Sequence, residues 1–133
     1  MPHRWTADWG IRKYGFHGLS HEYCSREAAV LRELRHPGIP AIHASFRAPW
    51  DAADAAMLVM EYVEGTSIEA LIAERRHLDS EDIAHLFVEA LGLLDYLHTR
   101  VPPVLHRDIK PANLILRADG SLAFVDFGAV RNV

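Results

Sequence analysis

The stretch from His106 to Gly128 constrains this chain more than any other. It begins His106-Arg107-Asp108-Ile109-Lys110-Pro111-Ala112-Asn113 and later reaches Asp126-Phe127-Gly128. An acid, a lysine and an amide share one loop, and a second acid sits on a later turn. Between them, Leu114 to Leu116 and Ser121 to Val125 read as short strands joined at Ala118-Asp119-Gly120, a hairpin signal. Clustering or burying acids without a cation is costly. Asp108, Asn113 and Asp126 therefore have no convincing role as plain structure.

The rest of the chain alternates helix and strand signals, so the expected class is α+β. Ser25 is placed to cap a helix from Arg26 to about Arg35, with Val30, Leu31 and Leu34 as its apolar stripe. His36-Pro37-Gly38 ends it. Ile39 to Phe46 reads as a strand, broken after Arg47 by a loop containing Pro49, and Ala56 to Val63 as a second, buried strand. Thr66 or Ser67 caps a short helix from Ile68 to about Arg76. Asp79 or Ser80 caps the longest helix, to about Thr99, with Glu81 and Asp82 suited to its first turn. Its stripe of Ile83, Leu86, Phe87, Ala90, Leu91, Leu94 and Leu97 is expected to face a core. Residues 1–25 are rich in aromatics, His and Gly and show no clear period.

An Asp that takes the proton of an attacking hydroxyl, with an Asn and a second Asp holding magnesium, is the set that phosphoryl transfer from ATP requires. The order and spacing resemble the catalytic and metal-binding loops of protein kinases, most closely bacterial Ser/Thr kinases. The resemblance covers about residues 26–133 and implies a truncated protein-kinase-like fold: part of the small lobe, the hinge and the start of the helical large lobe. It implies that Asp108 is the catalytic base and that Lys110 contacts the transferred phosphate. Asn113 and Asp126 would be the Mg2+ ligands. Glu27 would pair with a phosphate-binding lysine, and Glu61 and Val63 would bind adenine through their backbone, with Ile115 under the ring. Leu31, Ile42, His106 and Phe127 would form the apolar column that holds the active shape. ATP and a protein substrate are the implied partners, and transfer of the γ-phosphate to Ser or Thr the implied reaction.

Several residues also have plainer readings. Glu27 suits a solvated helix face, while Met60, Val63, Leu31 and Ile42 suit ordinary packing. No Gly-x-Gly-x-x-Gly occurs upstream of Glu27. The chain has two lysines, Lys13 and Lys110, so Lys13 is the one candidate partner for Glu27. Its setting, Gly10-Ile11-Arg12-Lys13-Tyr14, matches a strand poorly. The chain also stops five residues after Gly128. Weak or absent turnover is expected on these grounds, because such catalysis depends on positioned groups. A sheet edge left open beside the Glu27 helix, and an exposed inner face of the 80–99 helix, are further expectations. Both favour self-association through apolar surface.

The run from Arg12 to Tyr23, within about residues 2–25, resembles a signature segment of bacterial acetate kinases, where His17 would contact the phosphoryl group. The implied organisation is a leader, 1–25, joined to a partial kinase domain, 26–133. His17 and His21 are four apart, but Gly15 and Gly18 argue against a helical metal pair there. The net charge of −4 gives no reason to expect nucleic acid as a partner. A single cysteine, Cys24, fits a reducing cytoplasm, and no apolar run approaches the ~20 residues of a membrane span. The alternatives to an enzyme are a pseudokinase-like fragment that binds nucleotide or a partner, and a non-functional chimeric remnant.

Overall fold

Six uncharged residues, Ala55 to Met60, form the middle of Ala53–Glu61 (β4), a strand paired on both sides. A computed structural model describes residues 3–6, 11–16, 28–50, 53–127 and 131–132. In it, His3–Thr6 (β1), Ile11–Phe16 (β2), Ile42–Trp50 (β3) and β4 form an antiparallel sheet in the order β1-β2-β4-β3. The aperiodic first 25 residues thus contain two strands. Lys13 lies on β2 opposite Val59, so its local sequence hid a strand that pairing with β4 creates. That pairing also covers the sheet edge expected to be open.

β3 continues through Pro49, where a break was expected. It is an edge strand, and a residue without an N–H is tolerated there. The register shifts between Ile42 and Ala44, leaving His43 as a bulge.

Residues 28–33 are helical (α1). Ala28, Val30, Leu31 and the following Leu34 enter a core with Leu93, Leu97, Phe124 and Phe127. Fully burying one such leucine contributes roughly 1.5–3 kcal/mol. The segment His36-Pro37-Gly38 then docks on the next layer. His36 Nδ1 accepts from the Gly38 N–H (3.0 Å), and the Phe124 N–H donates to the Gly38 carbonyl (2.8 Å).

Beyond the hinge, Thr66–Ser67 (β5) leads into Ile68–Ala73 (α2), where Ser67 Oγ accepts from the Ala70 N–H at 3.1 Å. α2 stops short of the expected Arg76. Arg75 takes a left-handed φ of 52°, and the Arg75 and Arg76 N–H groups bond back to the Ile72 and Leu71 carbonyls. This is the helix-ending turn that usually carries Gly, here carried by Arg, which is why sequence overran it. Ser80–His98 (α3) begins at Asp79, whose carboxylate accepts from the Glu81 and Asp82 N–H groups while Asp82 reaches back to the Asp79 N–H.

The stripe on α3 divides. Leu93 and Leu97 are buried, and Leu86, Ala90 and Leu94 pack against the same core. Ile83, Phe87 and Leu91, expected inward, are exposed, together with Val88. Val104–Leu105 (β6) pairs with Arg131–Asn132 (β9). Leu114–Leu116 (β7) and Leu122–Phe124 (β8) form the expected hairpin, extended by β5. No helix among the described residues is long and apolar enough to cross a membrane.

Candidate active site

The loop between β6 and β7 is held by a buried histidine and a buried asparagine. His106 is 2% exposed and packs edge-on against Phe127 (centroids 4.6 Å) and Phe124 (5.8 Å). Its Nδ1 accepts from the Asp108 N–H at 3.2 Å, so Nε2 carries the proton and donates to the Val125 carbonyl at 3.2 Å. Burial lowers its pKa, against the raising effects of the Val125 carbonyl and of the Asp108 and Asp126 carboxylates. Both carboxylates thus bear on one ring.

Asn113 ends a single 3₁₀ turn, Pro111–Asn113, and is 1% exposed. Its Nδ2 donates to the Asp108 carbonyl (2.9 Å) and to Asp108 Oδ2 (3.1 Å). The Val125 N–H donates to the Asn113 carbonyl at 2.9 Å, which brings the residue before Asp126 against this loop. Lys110 Nζ stands 3.5 Å from Asp108 Oδ2, both side chains being partly exposed. Arg107 and Asp126 hold left-handed backbone, with φ of 67° and 61°. Such a conformation costs a non-glycine residue about 1–3 kcal/mol and persists where packing enforces it.

Asp108, Lys110 and Asn113 are therefore joined directly, and Asp126 is brought in through Val125. Val63 and Ile115 meet in a second buried cluster with Ala123 and Val125. Glu61 is exposed; its N–H donates to the Ala41 carbonyl at 2.7 Å, and its Oε2 accepts from the Ala41 N–H at 3.1 Å. Leu31 and Phe127 share the main core, Ile42 packs against it, and His106 stacks on Phe127. Glu27, His17, His21 and Cys24 lie outside the described residues. Sequence reasoning placed His106 in a column but missed its grip on the loop through Asp108 and Val125. The position of the histidine two residues before Asp108 is the one signal that could have suggested it.

The donor set can be tested against magnesium. With Nδ2 committed twice, Oδ1 is the remaining polar atom of the Asn113 side chain, a residue that is 1% exposed. An amide oxygen of this kind is a hard ligand of the type that magnesium takes. No group of three or more His, Cys, Asp or Glu suited to a metal occurs among the described residues. A cation here would need ligand oxygens beyond Asn113 and Asp126. That fits magnesium, which is commonly held by one or two carboxylates together with substrate phosphates and water.

Comparison with known proteins gives a consistent answer. The family model described as "Protein kinase domain" matches residues 11–133. Serine/threonine-protein kinase C of Synechocystis sp. is 38% identical over 109 residues, covering 80% of this chain and 19% of that protein. Serine/threonine-protein kinase PknA of Nostoc sp. is 36% identical over 116 residues, covering 85% and 20%. Serine/threonine-protein kinase PAK mbt of Drosophila melanogaster is 36% identical over 107 residues, covering 80% and 16%. The chain spans about a fifth or less of the length of these relatives. The acetate kinase resemblance gains no support: the kinase match begins at residue 11, inside that segment, and Ile11–Phe16 is a strand of the same sheet.

Proposed function

The chain belongs to the protein kinase domain family, and on that premise we propose that its site holds ATP with Mg2+ and directs the γ-phosphate to a Ser or Thr hydroxyl of a protein. The observation that carries this reading is the double hydrogen bond from Asn113 to Asp108. It fixes the carboxylate of Asp108 while turning Oδ1 of the same amide to a different task.

In this reading Asp108 orients the hydroxyl and accepts its proton at the carboxylate. Lys110, 3.5 Å from that carboxylate, supplies a cation to the phosphate in transfer. Asn113 and Asp126 would hold Mg2+, which when bound neutralises phosphate charge. Val63 and Ile115 supply the apolar bed for adenine. The Glu61 N–H is committed to Ala41, so its carbonyl is the group offered to the base.

The strand position of Lys13, beside central β4, supports assigning it as the partner of Glu27. It also supports extending the kinase-like part upstream of a boundary near residue 25. A cytoplasmic setting belongs to the same reading, on the single cysteine. Turnover by these residues alone is expected to be weak. These few groups share the whole transition-state charge, and one missing donor costs roughly 10²–10³ in rate.

A second reading, a non-catalytic fragment that binds nucleotide or associates with itself, is favoured by the exposed Phe87, Val88 and Leu91 on α3. Transfer from γ-labelled ATP to Ser/Thr peptides separates the two. The catalytic reading expects transfer that vanishes in Asp108→Asn with ATP still bound. Transfer that persists in that variant overturns it, and magnesium-dependent binding with no transfer at all selects the second.

A further inference from the structure

Helix α1 and the edge strand β3 are joined through a hydroxyl. Arg32 Nη2 donates to Ser45 Oγ, and both residues are exposed. Arg35 is three residues beyond Arg32, so the two share a side of the chain as it leaves the helix. Its Nη1 donates to the Arg32 carbonyl and to the Leu34 carbonyl (2.8 Å). A guanidinium thus covers the carbonyls at the end of α1, where a helix otherwise presents partial negative charge. Among the described residues neither Arg32 nor Arg35 forms an ion pair with a carboxylate. Glu33, the acid beside Arg32, does not share its side, because adjacent helix positions diverge.

Arg47 lies two residues beyond Ser45 on β3, which puts both on one face of the sheet. Positive charge from the helix and from the strand is therefore gathered at one serine. A neutral hydroxyl engages little of it. A phosphate monoester at the same oxygen would carry a charge of about −1.5 to −2 and three strong acceptors. Guanidinium groups suit such a group better than they suit a hydroxyl, because they can meet it with two parallel N–H donors.

Ser45 is also placed where another protein can reach it. β3 is outermost in the order β1-β2-β4-β3 and pairs with β4 alone among the described strands. Its ladder is disturbed on both sides of Ser45, by the register shift between Ile42 and Ala44 and by Pro49, which has no N–H. An edge segment bounded in this way opens more readily than a central strand.

We propose that Ser45 is a phosphorylation site, and that its phosphate is held by Arg32, with Arg35 and Arg47 adding charge, so that α1 is pinned to β3. The modification is phosphoryl transfer from ATP at a Ser/Thr kinase site. Ser45 Oγ bonds to the γ-phosphorus, and the bond from that phosphorus to the β,γ-bridging oxygen breaks. ADP leaves with that electron pair, and the hydroxyl proton passes to the carboxylate base of the donor kinase. That kinase is a second copy of this chain, in which case the step rests on the phosphotransfer reading above, or a separate enzyme. The arginines that receive the phosphate are the same in both cases. α1 sends Leu31 into the core that also holds Phe127, the neighbour of Asp126, so a firmer α1 steadies the packing beside the proposed metal site.

The first test is independent of the donor. The 133-residue chain is made with phosphoserine installed at position 45 during translation and compared with the unmodified chain. Its thermal midpoint is expected to rise by about 4 °C or more and the rise to shrink with added salt. Arg32→Gln, present in both forms, is expected to abolish the rise. Phosphorus NMR is expected to show the phosphate titrating below the value of about 6 that is ordinary for phosphoserine. An unchanged midpoint, or a rise that survives Arg32→Gln, overturns the proposal.

The second test follows transfer. The unmodified chain is incubated with Mg2+ and γ-labelled ATP, alone and with the PknA kinase of Nostoc sp. Trypsin releases residues 36–47, in which Ser45 is the one hydroxyl side chain. Label is expected on that segment in at least one incubation and is expected to be absent from Ser45→Ala. Label without added kinase makes a second copy the donor. Label only with it supports the site while the phosphotransfer reading of this chain fails. No label on residues 36–47 in either incubation overturns the assignment.

Discussion

Asn113 holds Asp108 at two points from a single amide nitrogen, at the backbone carbonyl (2.9 Å) and at Oδ2 (3.1 Å). Asn113 is 1% exposed, so its end of the link is shielded from water, and the link ties Asp108 to the turn that opens β7. Asn113→Ala leaves the Asp108 carbonyl without that donor and removes a fully buried amide. The expected cost is about 1–3 kcal/mol in stability. Urea unfolding measures it; a midpoint within error of the parent chain would show that the link is dispensable.

His106 makes the fold acid-sensitive. Its folded pKa lies below the 6.5 of an ordinary imidazole, chiefly through burial. Between the folded value and 6.5 the unfolded chain binds the extra proton. Stability is therefore complete above that window and falls as pH drops through it. His36 is lowered too, also mainly through burial, and adds in the same direction. Urea midpoints at about pH 7.5 and about pH 5.5 are expected to differ, and the difference to shrink in His106→Gln. A midpoint independent of pH contradicts this.

Gly38 is needed for space. A Cβ there would stand 2.5 Å from Leu93 Cδ2 and 2.8 Å from the Leu122 carbonyl oxygen. Leu93 is 2% exposed and the carbonyl is backbone, so neither yields easily. Gly38→Ala is expected to destabilise by about 1–3 kcal/mol, as overpacking does. Thermal unfolding checks it, and an unchanged transition would mean that the α1–β3 connection can shift away from α3.

Phe87 and Leu91 are 66% and 61% exposed on the outer face of α3. Sedimentation of the chain is expected to show association that grows with concentration and weakens in Phe87→Lys. A monomer at every concentration would remove self-association from the account.

How far the sequence could be read follows from where the determining forces are local. Asp79 with its capping partners and the Ala118-Asp119-Gly120 turn are local, and each is found as expected. The strand Ile11–Phe16 is not local. Besides the neighbouring β1 it pairs with β4, forty to fifty residues downstream (Phe16 opposite Ala56, Ile11 opposite Glu61), so its own composition concealed it. The division of the α3 stripe is likewise tertiary: helical spacing gives a wide apolar arc but not which part of it another element covers. Arg75 in a left-handed conformation ended α2 without the glycine that sequence reading relies on.

In the proposed function, Asn113 and Asp126 act together with phosphate oxygens on one cation. Calorimetric titration of ATP into the chain, with and without Mg2+, tests that most directly. ATP is expected to bind tightly only with Mg2+, to lose at least about tenfold in affinity in Asp126→Ala, and to bind Asp108→Asn almost as before. ATP affinity indifferent to Mg2+, or untouched by Asp126→Ala, would contradict it.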